Sequence, residues 1–357
     1  MIVLLTGGTG GAKFLQGLML VVPQDELTCI VNTGDDFECW GLHVSPDVDS
    51  ITYALAGKLS RERGWGVEGD TFECLEVMRR MGAPAWFRIG DRDLGLHVFR
   101  TEKLRAGQTL SQVTADVANW MGIQARILPM SDQRVETRVT TPKSEGINVI
   151  VGAPLDRKDL LEELKFIERF GTPIDEQATE EAASLPVKEL GFQEYFVRER
   201  YRVPVIGVRF AGAERARPAP GVVEAIHRAE AVILAPSNPV TSIGPILAVP
   251  GIREALRLTP APIGAVSPIV AGAAVSGPAV ELMRTRGLAP SIAGVAKAYA
   301  DFLDVLIADE RDAAAAPEVE AMGIRVQLAA TIMQSEADKR ALAEAAVASV
   351  RAAAQAA

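Results

Sequence analysis

The chain has 357 residues, 48% of them apolar and 23% charged. That is enough apolar material for a sizeable core, and the length suggests two domains or one large α/β domain carrying an insertion. A net charge of −9, from 37 Lys and Arg against 46 Asp and Glu, leaves no basic stripe for a nucleic-acid backbone, and three cysteines without CxxC spacing and three histidines argue against a disulfide scaffold or a Cys- or His-rich metal centre.

The N-terminus, MIVLLTGGTGG, lacks the basic start and long apolar run of a signal peptide. No membrane-length apolar stretch follows, so a cytoplasmic setting without membrane contact is expected. Residues 2–5 read as a buried parallel strand. Thr6-Gly7-Gly8-Thr9-Gly10-Gly11-Ala12-Lys13 reads as a glycine loop leading into a helix over 12–22, which Pro23 stops. Residues 27–31 read as a second buried strand. This is the opening of a doubly wound nucleotide-binding fold. Glycine lets a phosphate approach the backbone, and the following helix points free N–H groups at it. Gly8, Thr9, Gly10, Gly11 and Lys13 are therefore assigned to a phosphate; the alternative is a tight turn with no ligand. The loop is no Walker A motif. Lys13 occupies the third glycine position of a dinucleotide fingerprint, and Asn32 stands where a nicotinamide site has an acid. A dehydrogenase is thereby disfavoured, and Asn32 is assigned to the nucleotide.

Asp35 and Asp36 follow the second strand, and Asp47 and Asp49 open a helix over 51–59. Aspartates near a phosphate call for a counter-charge, and Mg²⁺ suits them. Asp35, Asp36 and Asp49 are the metal candidates, though Asp also serves turns and helix caps. Residues 61–200 read as a largely helical insertion, with helices over 71–81 and 109–121 and a charged stretch over 156–181. It holds Trp86-Phe87-Arg88-Ile89-Gly90-Asp91-Arg92-Asp93. Aromatics beside Arg can stack a planar ring and grip its substituents, so Arg88 is a ligand candidate; Asp91, Arg92 and Asp93 equally suit an ion-pair turn. The βα pattern returns with strands over 205–208, 231–234, 263–266 and 305–307. The nucleotide-binding core is thus 1–60 and 201–335, and 336–357 is a terminal helix. Ser237 and Asn238, after one of these strands, offer donors to phosphate or ribose.

TGGTGGAK, VNTGDDFECWGLHVSPDVDS, WFRIGDRDLG, GFQEYFVRER, APSNPVTSIGPIL and SPIVAGAAVSGPA, taken in order, resemble the 2-phospho-L-lactate transferase family of coenzyme F-420 biosynthesis, from residue 1 to about 310. The resemblance implies a Rossmann-like homodimer. It implies Mg²⁺-dependent transfer of a phospholactyl, enolpyruvyl phosphate or phosphoglyceryl group from a guanosine diphosphate conjugate to the deazaflavin Fo, with GMP leaving. It places Fo contacts on Asp49 and Arg88, and Asp49 becomes the expected catalytic residue. A relative with the same core binds nucleotide sugars as a non-catalytic regulator of carbon metabolism, which is the rival reading.

Overall fold

A computed structural model describes residues 1–142 and 187–356. Its centre is a seven-stranded parallel sheet whose strands we number in chain order: Ile2–Thr6 (β1), Leu27–Val31 (β2), Arg126–Pro129 (β3), Ala231–Leu234 (β4), Ile263–Val266 (β5), Val305–Asp309 (β6) and Arg325–Ala329 (β7). The spatial order is 3-2-1-4-5-6-7. This is the doubly wound Rossmann-like sheet read from the sequence, with one strand added at the edge. The chain runs outward from β1 through β2 to β3, then crosses back to β4. The strand order therefore reverses between β1 and β4.

The inner strands are continuous apolar runs because helices cover both faces. Along β1 the side chains alternate between two cores. Ile2 and Leu4 pack with helix α1 (Gly8–Leu18), helix α2 (Pro46–Leu55) and the C-terminal helix Glu336–Ala356. Val3 and Leu5 pack with the helices Val222–Arg228, Ile252–Leu258 and Ile292–Tyr299. The terminal helix is no frayed tail, since Leu342, Ala343, Ala346 and Val350 are fully buried.

Three expectations need redrawing. The glycines are mostly not a loop: α1 begins at Gly8, directly after the extended Gly7. Glycine inside a helix costs about 1 kcal/mol against alanine, and close packing offsets that cost here. A Cβ on Gly10 would press on Pro236 O, one on Gly11 would collide with Thr6 Oγ1, and one on Gly17 with Lys339 O. Gly17→Ala is accordingly expected to destabilise the fold by about 1–3 kcal/mol through overpacking. Thermal denaturation checks it, and an unchanged Tm would mean that the C-terminal helix does not seat there.

The second correction is the insertion. Helices Glu73–Arg80 (α3), Asp91–Arg105 (α4) and Leu110–Trp120 (α5) do occupy its first half. Arg126–Pro129, however, is core strand β3, so 61–200 is not a separate lobe. Third, the strand expected over 205–208 lies at Gly207–Ala211 and does not join the parallel sheet. It pairs antiparallel with Glu136–Pro142, which also pairs with Val187–Gly191, making a small three-stranded sheet. The apolar side chains Val139, Leu190 and Val208 join the core on the Val3 side. The charged stretch 156–181 lies outside the described residues.

Candidate active site

Ligands of open α/β sheets bind where the strand order reverses, outside the carboxyl ends of the strands. Here a cleft of about 720 Å³ opens at that point between β1 and β4. Gly8, Thr9, Gly10, Lys13, Asp35, Asp49, Arg88, Ser237 and Asn238 all line it. Nine of the residues singled out from sequence are thus brought together. Gly11, Asn32 and Asp36 are not in its lining.

One end of the cleft is formed by a helix start. Helix α1 starts there with no cap from its own N-terminal residue and no acid in its first turn; Asp47 takes the Gly8 amide, and the other leading N–H groups and the positive dipole end face the opening. The loop after β4 lies against it: Ser237 Oγ donates to Gly7 O at 2.7 Å, and Asn238 Oδ1 accepts from the amides of Val240 and Thr241 at 2.9 and 3.4 Å. Those bonds fix the loop's shape. Gly11 sits behind this wall as a packing glycine against Thr6.

Beside it stand two buried carboxyls, Asp35 and Asp47. Burial pushes the Asp35 carboxyl well above the usual range, and the charge of Asp47 adds to the push. Burial likewise pushes Asp47 up to about 6, against hydrogen bonds from Asn32 and the Gly8 amide. Asp35 Oδ1 is buried without any hydrogen-bond partner among the described residues, and Oδ2 has only Gln193 Nε2 at 3.5 Å. Two buried like charges, one with an orphaned oxygen, suit a divalent cation. Asn32 is a fastener here and not a nucleotide contact. It is fully buried, its Nδ2 donates to Asp47 Oδ2 at 2.9 Å, and its Oδ1 accepts from Gly34 N at 2.8 Å. Asp36 faces the other way, into a separate hollow of about 390 Å³. It accepts from Ser45 Oγ at 2.7 Å and meets His43 Nε2 at 3.0 Å, so its oxygens are committed away from the cleft.

Asp49 is buried on the first turn of α2 and is held by Arg100 from α4, with Nη1 donating to Oδ2 at 3.1 Å and Nη2 to Oδ1. Its charge is already matched by a guanidinium, which removes the need for a metal at this carboxylate. One turn along, Tyr53 donates to Asp93 Oδ1 at 2.6 Å. Tyr53, Asp93 and His97 also line the cleft.

The far end is aromatic. Trp65, Trp86, Phe87, Phe192 and Phe196 border the cleft. The Arg88 guanidinium lies over the Phe72 ring at 4.6 Å and the Trp65 ring at 6.0 Å from the centroids. Phe192 and Phe196 stack at 5.6 Å within 5° of parallel. Phe192 precedes and Phe196 lies within a π-helical turn, Glu194–Arg198, followed by two left-handed residues, Arg200 and Tyr201 (φ 54° and 46°). Such backbone is costly and concentrates at binding sites. Sequence reasoning left Asp47 off the metal set and missed Tyr53, His97 and Gln193. Asp93, His97 and Arg100 recur at helical spacing, a signal that on its own reads as a solvated face.

The sequence profile of the family described as 2-phospho-L-lactate transferase CofD matches residues 2–353. The match extends well past residue 310 and takes in most of the terminal helix. A phosphoenolpyruvate transferase from Streptomyces griseus subsp. griseus is 41% identical over 341 residues, 94% of each chain. A 2-phospho-L-lactate transferase from Methanosarcina mazei is 36% identical over 342 residues, 96% of this chain and 98% of its own. The crystal structure of protein BH3568 from Bacillus halodurans shares the fold with a TM-score of 0.58 at 14% identity, covering 97% of this chain and 98% of that one. No helix among the described residues is long and apolar enough to cross a membrane. With a profile matched over nearly the whole chain and relatives of matching length at 36–41% identity, the chain belongs to the 2-phospho-L-lactate transferase (CofD) family of coenzyme F-420 biosynthesis.

Proposed function

We propose that this transferase moves the phospho-acid moiety of a guanosine diphosphate conjugate to the deazaflavin Fo and releases GMP. The observation that carries the reading is the two-ended cleft, with a glycine-rich helix start at one end and a wall of aromatic rings at the other. A diphosphate suits the first and a planar tricyclic ring the second. The names borne by the relatives supply the group transferred, and the donor's acid stays open among phospholactate, phosphoenolpyruvate and phosphoglycerate.

In this scheme the α1 amides of Thr9 and Gly10, with Lys13 and the Ser237–Asn238 loop, take the donor phosphates; the Gly8 amide, assigned to a phosphate from sequence, is taken by Asp47. Arg88 and the rings around it seat the deazaflavin. The terminal ribityl hydroxyl of Fo attacks the phosphorus that bears the acid. An O–P bond forms, the bond from that phosphorus to the GMP oxygen breaks, and the hydroxyl proton passes to a cleft carboxylate. Asp49 is the candidate: each oxygen gives one lone pair to Arg100 and keeps another for the hydroxyl. Asp35 and Asp47 would hold Mg²⁺, replacing the set of Asp35, Asp36 and Asp49 that the sequence suggested. When bound, the ion supplies neutralisation of the diphosphate charge. Positioning of the two substrates supplies the rest. The reading includes a homodimer, to be measured by light scattering on the same preparation.

The test is incubation of the protein with Mg²⁺, Fo and each of the three guanylylated acids. GMP release together with a phospho-acid ester of Fo in the mass spectrum is the expected result. Tight binding of nucleotide sugars without consumption of Fo from any donor would favour the regulator reading instead.

A further inference from the structure

His97 is among the most buried side chains bordering the cleft, at 1% exposure. It sits on α4 with Asp93 one turn before it and Arg100 one turn after. Its Nδ1 faces Arg100 Nη1 at 3.4 Å. A guanidinium carries donors only, so the nitrogen opposite it must accept. The imidazole proton is thereby assigned to Nε2. That nitrogen meets no acceptor at good hydrogen-bond geometry among the described residues; its charged neighbour Asp93 Oδ1 stands 3.5 Å away. A buried N–H left unmade is expensive, and a ligand in the cleft is the remaining source of an acceptor.

We infer that the His97 Nε2–H is a hydrogen-bond donor to a hydroxyl oxygen of the acceptor's polyol chain, with Arg100 holding the imidazole in the required tautomer. The surroundings decide what kind of oxygen fits. Asp49 Oδ2 lies 3.6 Å from Nδ1 and Asp93 Oδ1 3.5 Å from Nε2. Two carboxylates at that range disfavour a phosphoryl oxygen. A neutral hydroxyl satisfies both neighbours: it accepts from Nε2–H and donates to Asp93, whose Oδ1 already takes the Tyr53 hydroxyl. One atom each from Asp49, Asp93 and His97 also falls within 4.8 Å of the others, the spacing of a metal site. Arg100 already fills the place of that cation, which leaves Nε2 for the ligand. The inference rests on the transfer reading for the identity of the acceptor, and it assigns His97 a contact on the polyol and not on the diphosphate.

The experiment reads Fo binding by fluorescence titration and, separately, the KM of each substrate. His97→Leu is expected to weaken Fo binding about tenfold, the usual cost of one unmet hydrogen bond. The KM for the guanylylated donor should stay unchanged. His97→Gln, whose amide nitrogen reaches the position of Nε2, should recover most of the loss, which a packing role would not predict. An Fo analogue lacking the polyol hydroxyls should bind about tenfold more weakly than Fo to the wild type and equally weakly to His97→Leu. If His97→Leu does not fold, that comparison on the wild type decides the matter alone. Wild-type affinity in His97→Leu, equal binding of Fo and its analogue by the wild type, or absence of Fo binding altogether overturns the inference. So does a Mn²⁺ site lost in His97→Leu, since a metal-bound Nε2 has no proton to donate. GMP release by the wild type is scored apart. Fo binding that depends on His97 without GMP release sinks the transfer reading and leaves this one standing.

Discussion

Asp47→Asn is expected to lower phospho-acid transfer about a thousandfold at saturating Mg²⁺, because a bound ion contributes several kcal/mol of charge stabilisation and each 1.36 kcal/mol is tenfold in rate. The fold should survive. Asp47 sits in the first turn of α2, where Asn is an acceptable side chain, and the amide can still meet Asn32 after a flip. Asp35 and Asp47 are both buried, and in the absence of a cation the charge of Asp47 raises the cost of ionising Asp35, while Asp36 and Asp49 raise that of Asp47. Removing one charge removes that conflict.

The sign of the pH effect follows. A carboxyl whose folded-state value is raised to about 6 favours the fold while it is protonated. That contribution is lost as pH rises from the ordinary carboxylate range through the raised value. The Asn variant has no such loss. In EDTA its Tm relative to wild type should therefore rise between about pH 4 and pH 6. Mg²⁺ should raise the wild-type Tm by mass action and leave that of the variant nearly unmoved. Differential scanning calorimetry with and without Mg²⁺, alongside GMP release, checks all three statements. Wild-type turnover in the variant would take Asp47 out of the metal site.

Which parts of this architecture could be read from sequence follows from where the physics is local. The strands over 2–5, 27–31, 231–234, 263–266 and 305–307 are apolar throughout because both faces of the sheet are covered, and that signal needs no partner to be seen. The two outer strands lack it. Strand β7 leaves Arg325, Gln327 and Leu328 exposed and only half-buries Val326 and Ala329, and β3 begins on an exposed Arg126. The helix-start end of the cleft was legible because strand, glycine and helix start are consecutive. The aromatic end was legible at Trp86–Arg88 for the same reason. The acidic centre was not. Asp35 and Asp36 are neighbours in sequence, yet one faces the cleft and the other a hollow behind it. Asn32 reads as a ligand residue at the end of β2, and only its burial against Asp47 shows that it holds another side chain in place. Asp49 and Arg100 are 51 residues apart, so their pairing appears only once α2 and α4 are packed together.

That pairing is where the largest stability effect should lie. Arg100→Leu is expected to destabilise the protein by about 3–5 kcal/mol, the usual cost of stranding a buried charge. Arg100 is 2% exposed and Asp49 4% exposed, so water cannot take over as the partner. The same logic complicates the obvious test of Asp49 as a catalytic group. Asp49→Asn leaves the Arg100 guanidinium facing a neutral amide, and lost turnover there reports lost packing as well as lost contact with the acceptor. The double substitution Asp49→Leu with Arg100→Leu separates the two. Replacing both members of a buried pair by apolar side chains is often close to neutral for stability, so the double variant should regain most of the unfolding free energy and none of the activity. Arg100→Lys should fall between, because an ammonium restores the charge but not the two-pronged grip. Urea denaturation of wild type, Arg100→Leu, Asp49→Leu and the double Leu variant as a double-mutant cycle gives the coupling directly. An Arg100→Leu protein within about 1 kcal/mol of wild type, the range of an exposed pair, would mean that the Asp49 carboxylate is hydrated from the cleft. In that case Arg100 would also lose its hold on the His97 tautomer, and the polyol contact assigned to Nε2 would have to be found elsewhere.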